Sequence, residues 1–127
     1  MAVSYVAAGK SAIMDAGNVI QSQNFSNSSG NITKYTIQKR EIAASGTFAL
    51  DFAGITAAKI VSIKGQDGGT TTPRYVNVKF ASGGTTQTTA VRCTDIILTL
   101  NSSSDLTGVV VETQAGMTTD VEYTVGG

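Results

Sequence analysis

From residue 34 onward the chain keeps returning to one pattern: a short run of alternating apolar and polar residues, then a cluster of Gly, Ser, Thr, Asn, Asp or Pro. Alternation sends successive side chains to opposite faces of a strand, and the turn-forming clusters stop each run before it grows long. Eight such runs follow one another: KYTIQKREI, GTFALDF, AAKIVSIKG, RYVNVKF, QTTAVRC, DIILTL, VVVETQ and TTDVEYTV. In the first, Tyr35 and Ile37 share one face and Thr36, Gln38 and Arg40 the other. Phe48, Leu50 and Phe52 stand together, as do Val76, Val78 and Phe80, Ile96, Leu98 and Leu100, and Val121, Tyr123 and Val125. No segment after residue 31 holds a helical period; DFAGITAAK comes nearest and offers one turn at most. The pattern predicts an all-β protein, an antiparallel β-sandwich of about eight strands, jelly-roll-like, with an extended N-terminal arm. An up-and-down barrel is the alternative, but four Phe, four Tyr and no Trp give little with which to fill one. The stretch KIVSIKGQDGGTTTPRYVNVKF reads as a hairpin whose tip is rich in Gly and Thr.

The first 31 residues differ in character. Val3, Tyr5, Val6, Ile13, Met14, Val19 and Ile20 are scattered without a period of two or of 3.6, and the polar run QSQNFSNSSGN follows. Such a segment builds no core of its own. It is either disordered or an arm ordered against a partner, and its retained aliphatics and Phe25 favour the arm. The expected division is therefore an arm or linker over 1–31 and a β-sandwich domain over 32–127.

Composition narrows the function. Nine Lys and Arg balance nine Asp and Glu, which leaves no electrostatic footprint for nucleic acid or an anionic membrane. No stretch approaches the ~20 apolar residues of a membrane span, and the N-terminus lacks the pattern of a secretory signal. Only 14% of residues are charged, so Ser, Thr, Asn and Gln must solvate the outer faces. That suits a protein partly covered by its neighbours in an assembly.

The chain contains no His, which removes the commonest general base and metal ligand together. A Ser-His-Asp or Cys-His site and an ordinary zinc site are thereby excluded. The carboxylates are spread singly. Asp67 in GQDGG and Asp105 in SSSDLTG read as turn formers, and the Gly-rich loops match no phosphate-binding pattern. The lone Cys93, in AVRCTDIILTL, reads as a small buried hydrophobe. No cofactor, metal or catalytic residue is expected. A receptor- or glycan-binding module using loops 65–73 and 82–88 is the competing class, and few aromatics are present for sugar stacking.

The succession GITAAKIVSIKG, YVNVKF, DIILTL, DLTGVVVETQAG and TDVEYTVGG resembles small β-sandwich proteins encoded among the structural genes of tailed bacteriophages. The similarity covers roughly residues 46 to 127. It implies a non-enzymatic virion protein: a capsid decoration or cement protein bound outside the major capsid shell, or alternatively a subunit of a tail or head fibre. It also implies a homo-oligomer, with a trimer favoured, whose partners are the major capsid protein and itself. The protein would be made in the host cytoplasm and located on the capsid surface. The residues expected to touch partners are Tyr5, Val6, Ile13, Val19, Ile20 and Phe25 of the arm, and Thr70, Thr71 and Thr72 of the first Gly/Thr loop.

Overall fold

In a computed structural model, residues 3–43, 46–100 and 106–127 are described, with the side chains of Phe25 and residues 27–31 excepted. Eleven strands run in the order β1 Val3–Asp15, β2 Asn18–Ile32, β3 Tyr35–Ile42, β4 Thr47–Ala49, β5 Ile60–Asp67, β6 Val76–Ser82, β7 Thr85–Thr86, β8 Val91–Cys93, β9 Asp95–Thr99, β10 Leu106–Thr113 and β11 Thr119–Gly126. Every pairing is antiparallel.

Strands β3-β11-β5-β9 form one sheet of a sandwich. The other is β4-β10-β6, with β7 and β8 sharing the far edge of β6. Most inward residues are those the alternation picks out, and the unbroken valine run of β10 adds Val109 and Val111. Val61, Ile63, Val121, Tyr123 and Val125 face Val76, Val78, Val109 and Val111, all of them at most 2% exposed. Phe48, Phe80, Cys93, Ile96, Leu98 and Leu100 are partly buried and pack around that centre. Across the gap, the ring centroids of Phe48 and Tyr123 lie 6.2 Å apart. Most inward side chains are β-branched, and their stiff χ1 suits interdigitation in a thin core.

Three points of the sequence reading need correcting or completing. The stretch from Lys59 to Phe80 is not a hairpin, because β5 and β6 belong to opposite sheets. β5 stays paired with β11 through Asp67; the chain then folds back on it, with a bridge from Gln66 to Pro73 and the Arg74 carbonyl so close to Gly65 that a Cβ there would overlap it, and it enters the other sheet only at β6. Periodicity reports which side of a strand is apolar; it does not report which neighbour the strand takes.

The second point is the facing of β3, which its sequence leaves open. Its alternation is as expected, but the apolar face points outward: Tyr35 is 56% exposed and Ile37 71%. The polar face serves the core instead. Gln38 Oε1 accepts a 3.1 Å hydrogen bond from the Tyr123 hydroxyl, which itself accepts from the Asp51 N–H, and the Arg40 guanidinium covers the Phe48 ring at 5.2 Å. An edge strand overhanging the rim of a core can bury long polar side chains by their stems while their heads find partners.

Third, the Asp67 carboxylate does not hold its own turn. It pairs with Arg74 at 2.8 Å, while Asp120, carried on β11, accepts the Gly69 N–H at 3.0 Å. The Asp67 carbonyl closes the turn by accepting from the Thr70 N–H. Asp105 lies outside the described residues.

Ile63→Ala should lower stability by ~2–5 kcal/mol, read from the shift of the urea midpoint at unchanged slope. Tyr123→Phe keeps the ring but strips the Asp51 N–H and the Gln38 carbonyl of their partner, and should cost ~1–3 kcal/mol. A midpoint equal to wild type for both would mean that this stripe is not the core.

Candidate interaction site

The N-terminal segment, which shows no period, forms the longest regular element of the molecule. β1 and β2 pair only with each other, in register from Val3↔Ile32 to Asp15↔Asn18. The missing period has a simple cause. From Ala8 through Asn24 every residue of the ribbon is exposed, so neither face is buried and nothing selects apolar residues onto alternate positions.

The ribbon folds because its turn is well suited to a two-residue hairpin. Ala16 and Gly17 both take positive φ, 47° and 84°, the combination whose twist matches that of paired strands. Gly tolerates this freely, whereas Ala accepts it at a cost. The same dipeptide makes a similar turn at Ala53 and Gly54, where φ is 50° and 76° and the Ile55 N–H donates to Phe52.

At its root the ribbon meets the sandwich. Ala7 and Ile32 are buried, and Tyr5, Val6, Ala7 and Ala8 form one wall of an open groove of about 380 Å³ against Ile60, Ser62, Ile97 and Thr124. Just beyond Ile32, the Thr33 and Lys34 N–H groups both donate to the Gly127 carbonyl, and the Gly127 N–H donates back to Lys34. The root is therefore tied to the end of β11.

The tip is bare. Ile13, Met14, Val19 and Ile20 are 61, 57, 54 and 66% exposed and crowd around the turn, with an irregularity that leaves Ile20 unpaired between Gln21 and Val19. Of the expected contact residues, Ile13, Val19 and Ile20 thus come together at the tip. Tyr5, half-buried, and Val6, 71% exposed, lie at the root. The Phe25 side chain is outside the described residues. Met14 belongs with the tip group; its adjacency to the Ala-Gly pair is the sequence signal that places it there.

Thr70, Thr71 and Thr72 are exposed, but they sit at the far end of the sandwich. Their loop is fastened to the start of β11 through Thr118 and Asp120, whereas the ribbon root is fastened to its end. The structure also separates loops 65–73 and 82–88, which stand at opposite ends of β6 and do not form one shared binding surface.

The outer face of the β3-β11-β5-β9 sheet carries two ordered rows. One runs Ile37, Thr124, Ser62, Ile97; the next runs Lys39, Glu122, Lys64, Asp95, alternating in sign across all four strands. Opposite charges on directly opposed residues favour this register. A second groove, of about 350 Å³, crosses these rows between Ile37 and Lys64. Among the described residues no three His, Cys, Asp or Glu side chains gather as a metal site would require. Burial, with the Asp95 charge as a smaller contribution, pushes the Cys93 thiol up from its ordinary pKa. Comparison with protein-family models, curated proteins and solved structures finds no match to this chain.

Two outcomes follow from this geometry. Ala16→Gly should relieve the turn and raise the local opening free energy of the β1–β2 amides by on the order of 1 kcal/mol in hydrogen exchange, leaving the sandwich amides unchanged. For Cys93, the raised pKa means that the protonated thiol favours the fold. That stability is fully present below the thiol pKa of the unfolded chain and falls away as pH rises towards the higher folded value. Alkylation at mildly alkaline pH should accordingly be slower than in urea-unfolded chain, and faster in Asp95→Asn than in wild type.

Proposed function

We propose that this protein is a non-enzymatic virion component, a capsid decoration protein that sits on the outside of a tailed-phage capsid shell and strengthens it through subunit and arm contacts. The observation that carries this reading is the ribbon. Thirty residues of ordered backbone, counting from Val3 to Ile32, are held away from the core and tipped with four exposed aliphatic side chains. An isolated two-stranded hairpin is marginal in water, and apolar tips of this kind mark contact surfaces. Ordered structure that contributes so little to its own core is explained by a partner that covers it.

The sandwich supports the same reading in a different way. Its surface is poor in charge and rich in Thr, and two of its grooves are open troughs along the β3-β11-β5-β9 sheet, lined by Lys, Glu, Gln, Ser, Thr, Tyr and aliphatic side chains. A surface of this composition is suited to being covered by protein.

The test is made on particles. Quantitative mass spectrometry should find hundreds of copies per virion, against a few to a few dozen for a fibre subunit. Deleting residues 1–31 should leave the urea midpoint of the β-domain close to wild type while occupancy on particles collapses. Normal occupancy after the deletion, or absence of the protein from virions, would sink the proposal.

A further inference from the structure

Sheet edges present rows of unpaired N–H and C=O groups, and proteins ordinarily guard them with charge, Pro or shortness. In this molecule nearly every edge is guarded. β3 carries Lys39, Arg40 and Glu41; β4, β7 and β8 are two or three residues long; β9 has five residues and opens with Asp95. Within the ribbon, β1 carries Lys10 and Asp15. The exception is β2, NVIQSQNFSNSSGNI, whose 15 residues include no charge and no Pro.

A second observation bears on what pairs there. Among the described residues, two of the exposed apolar groups lie at the two ends of the ribbon: the tip, with Ile13, Met14, Val19 and Ile20, and the sheet face beside the root, with Tyr35 and Ile37. In one chain they stand a full strand apart, about 50 Å at ~3.3 Å per residue, and a paired ribbon cannot fold back to join them. Antiparallel alignment of β2 with β2 of a second copy joins them twice over. With Phe25 near the twofold axis, Val19 of each copy comes opposite the end of the other's β2, beside the root from which Tyr35 and Ile37 extend.

We propose that β2 pairs with β2 of a second copy about a twofold axis, making a four-stranded sheet β1-β2-β2-β1 in which each tip is seated at the other copy's root. Charge permits the arrangement, since an uncharged strand opposes no like charges in any register. Extent permits it as well: β2 with the tip and root residues amounts to about 20 residues from each copy, the lower end of a standard interface. Isologous pairing needs no second kind of surface, which fits β2 as the one long edge among the described residues that carries no charge. The proposal specifies the arm contact described above but concerns the free protein, so it can fail while particle attachment holds, and the reverse.

Sedimentation equilibrium of the full purified chain should give a dimer. Ser22→Glu/Ser26→Glu flanks Lys10 diagonally within the ribbon, so the hairpin itself is favoured, but brings like charges together across the twofold. The dissociation constant should rise on the order of tenfold or more and recover with added salt. Mixing that variant with Ser22→Lys/Ser26→Lys should restore a heterodimer. Ile37→Ser, at an exposed site, should weaken the dimer without moving the urea midpoint of the monomer. A monomer at all concentrations, a trimer, or a dimer indifferent to the charge pairs would each overturn the proposal.

Discussion

Strand β11 is the constraint on which the rest of the structure depends. It is bonded along its whole length to β3 on one side and β5 on the other, eight residue pairs each. Its inner stripe of Val121, Tyr123 and Val125 is almost completely buried against the facing sheet. The attachments of the outlying parts run to it as well. Asp120 and Thr118 fix the Gly/Thr loop, the Tyr123 hydroxyl links β3 to the segment after β4, and Gly127 secures the ribbon root. With few large aromatics, the core gains most of its stability from many small β-branched contacts, and one continuous central strand keeps those contacts in register.

The outer surfaces follow a different rule. A chain with few charges has placed four of them in one row of alternating sign across the β3-β11-β5-β9 sheet, and the neighbouring row is left to Ile37, Thr124, Ser62 and Ile97. Register is therefore reinforced from outside as well as from the core, at a site where burial gives no help. The same economy leaves apolar side chains uncovered on that face, and the ribbon root lies over only part of it.

The sandwich was largely legible in the sequence because burial on one face imposes a period of two, and residues 60–65, 76–80, 109–113 and 121–125 follow it. Pairing was not legible. KIVSIKGQDGGTTTPRYVNVKF has the look of a hairpin because both flanks alternate, yet beyond the Gly/Thr loop the chain crosses from β5 to a strand of the opposite sheet. The ribbon was hidden for the opposite reason: from Ala8 through Asn24 both faces are in solvent, so that stretch of sequence carries no burial signal. What could have found it is the Ala16-Gly17 pair between two stretches of similar length. The facing of β3 was not legible because Gln38 and Arg40 reach core partners that only tertiary structure supplies.

The short link between ribbon and sandwich has a mechanical consequence. Only Thr33 and Lys34 separate the last residue of β2 from the first of β3. Tension applied at the tip therefore arrives at Tyr35 with almost no slack to absorb it. A pull along the axis of β3 loads all eight of its pairs with β11 at once, in shear, because antiparallel hydrogen bonds lie across the strand direction. Failure in shear requires many bonds to yield together, whereas side-chain contacts at a tip can release one by one. For a partner holding the tip, as proposed above, the contacts at the tip would then yield before the eight pairs of β3 with β11, and the domain would stay folded when they did.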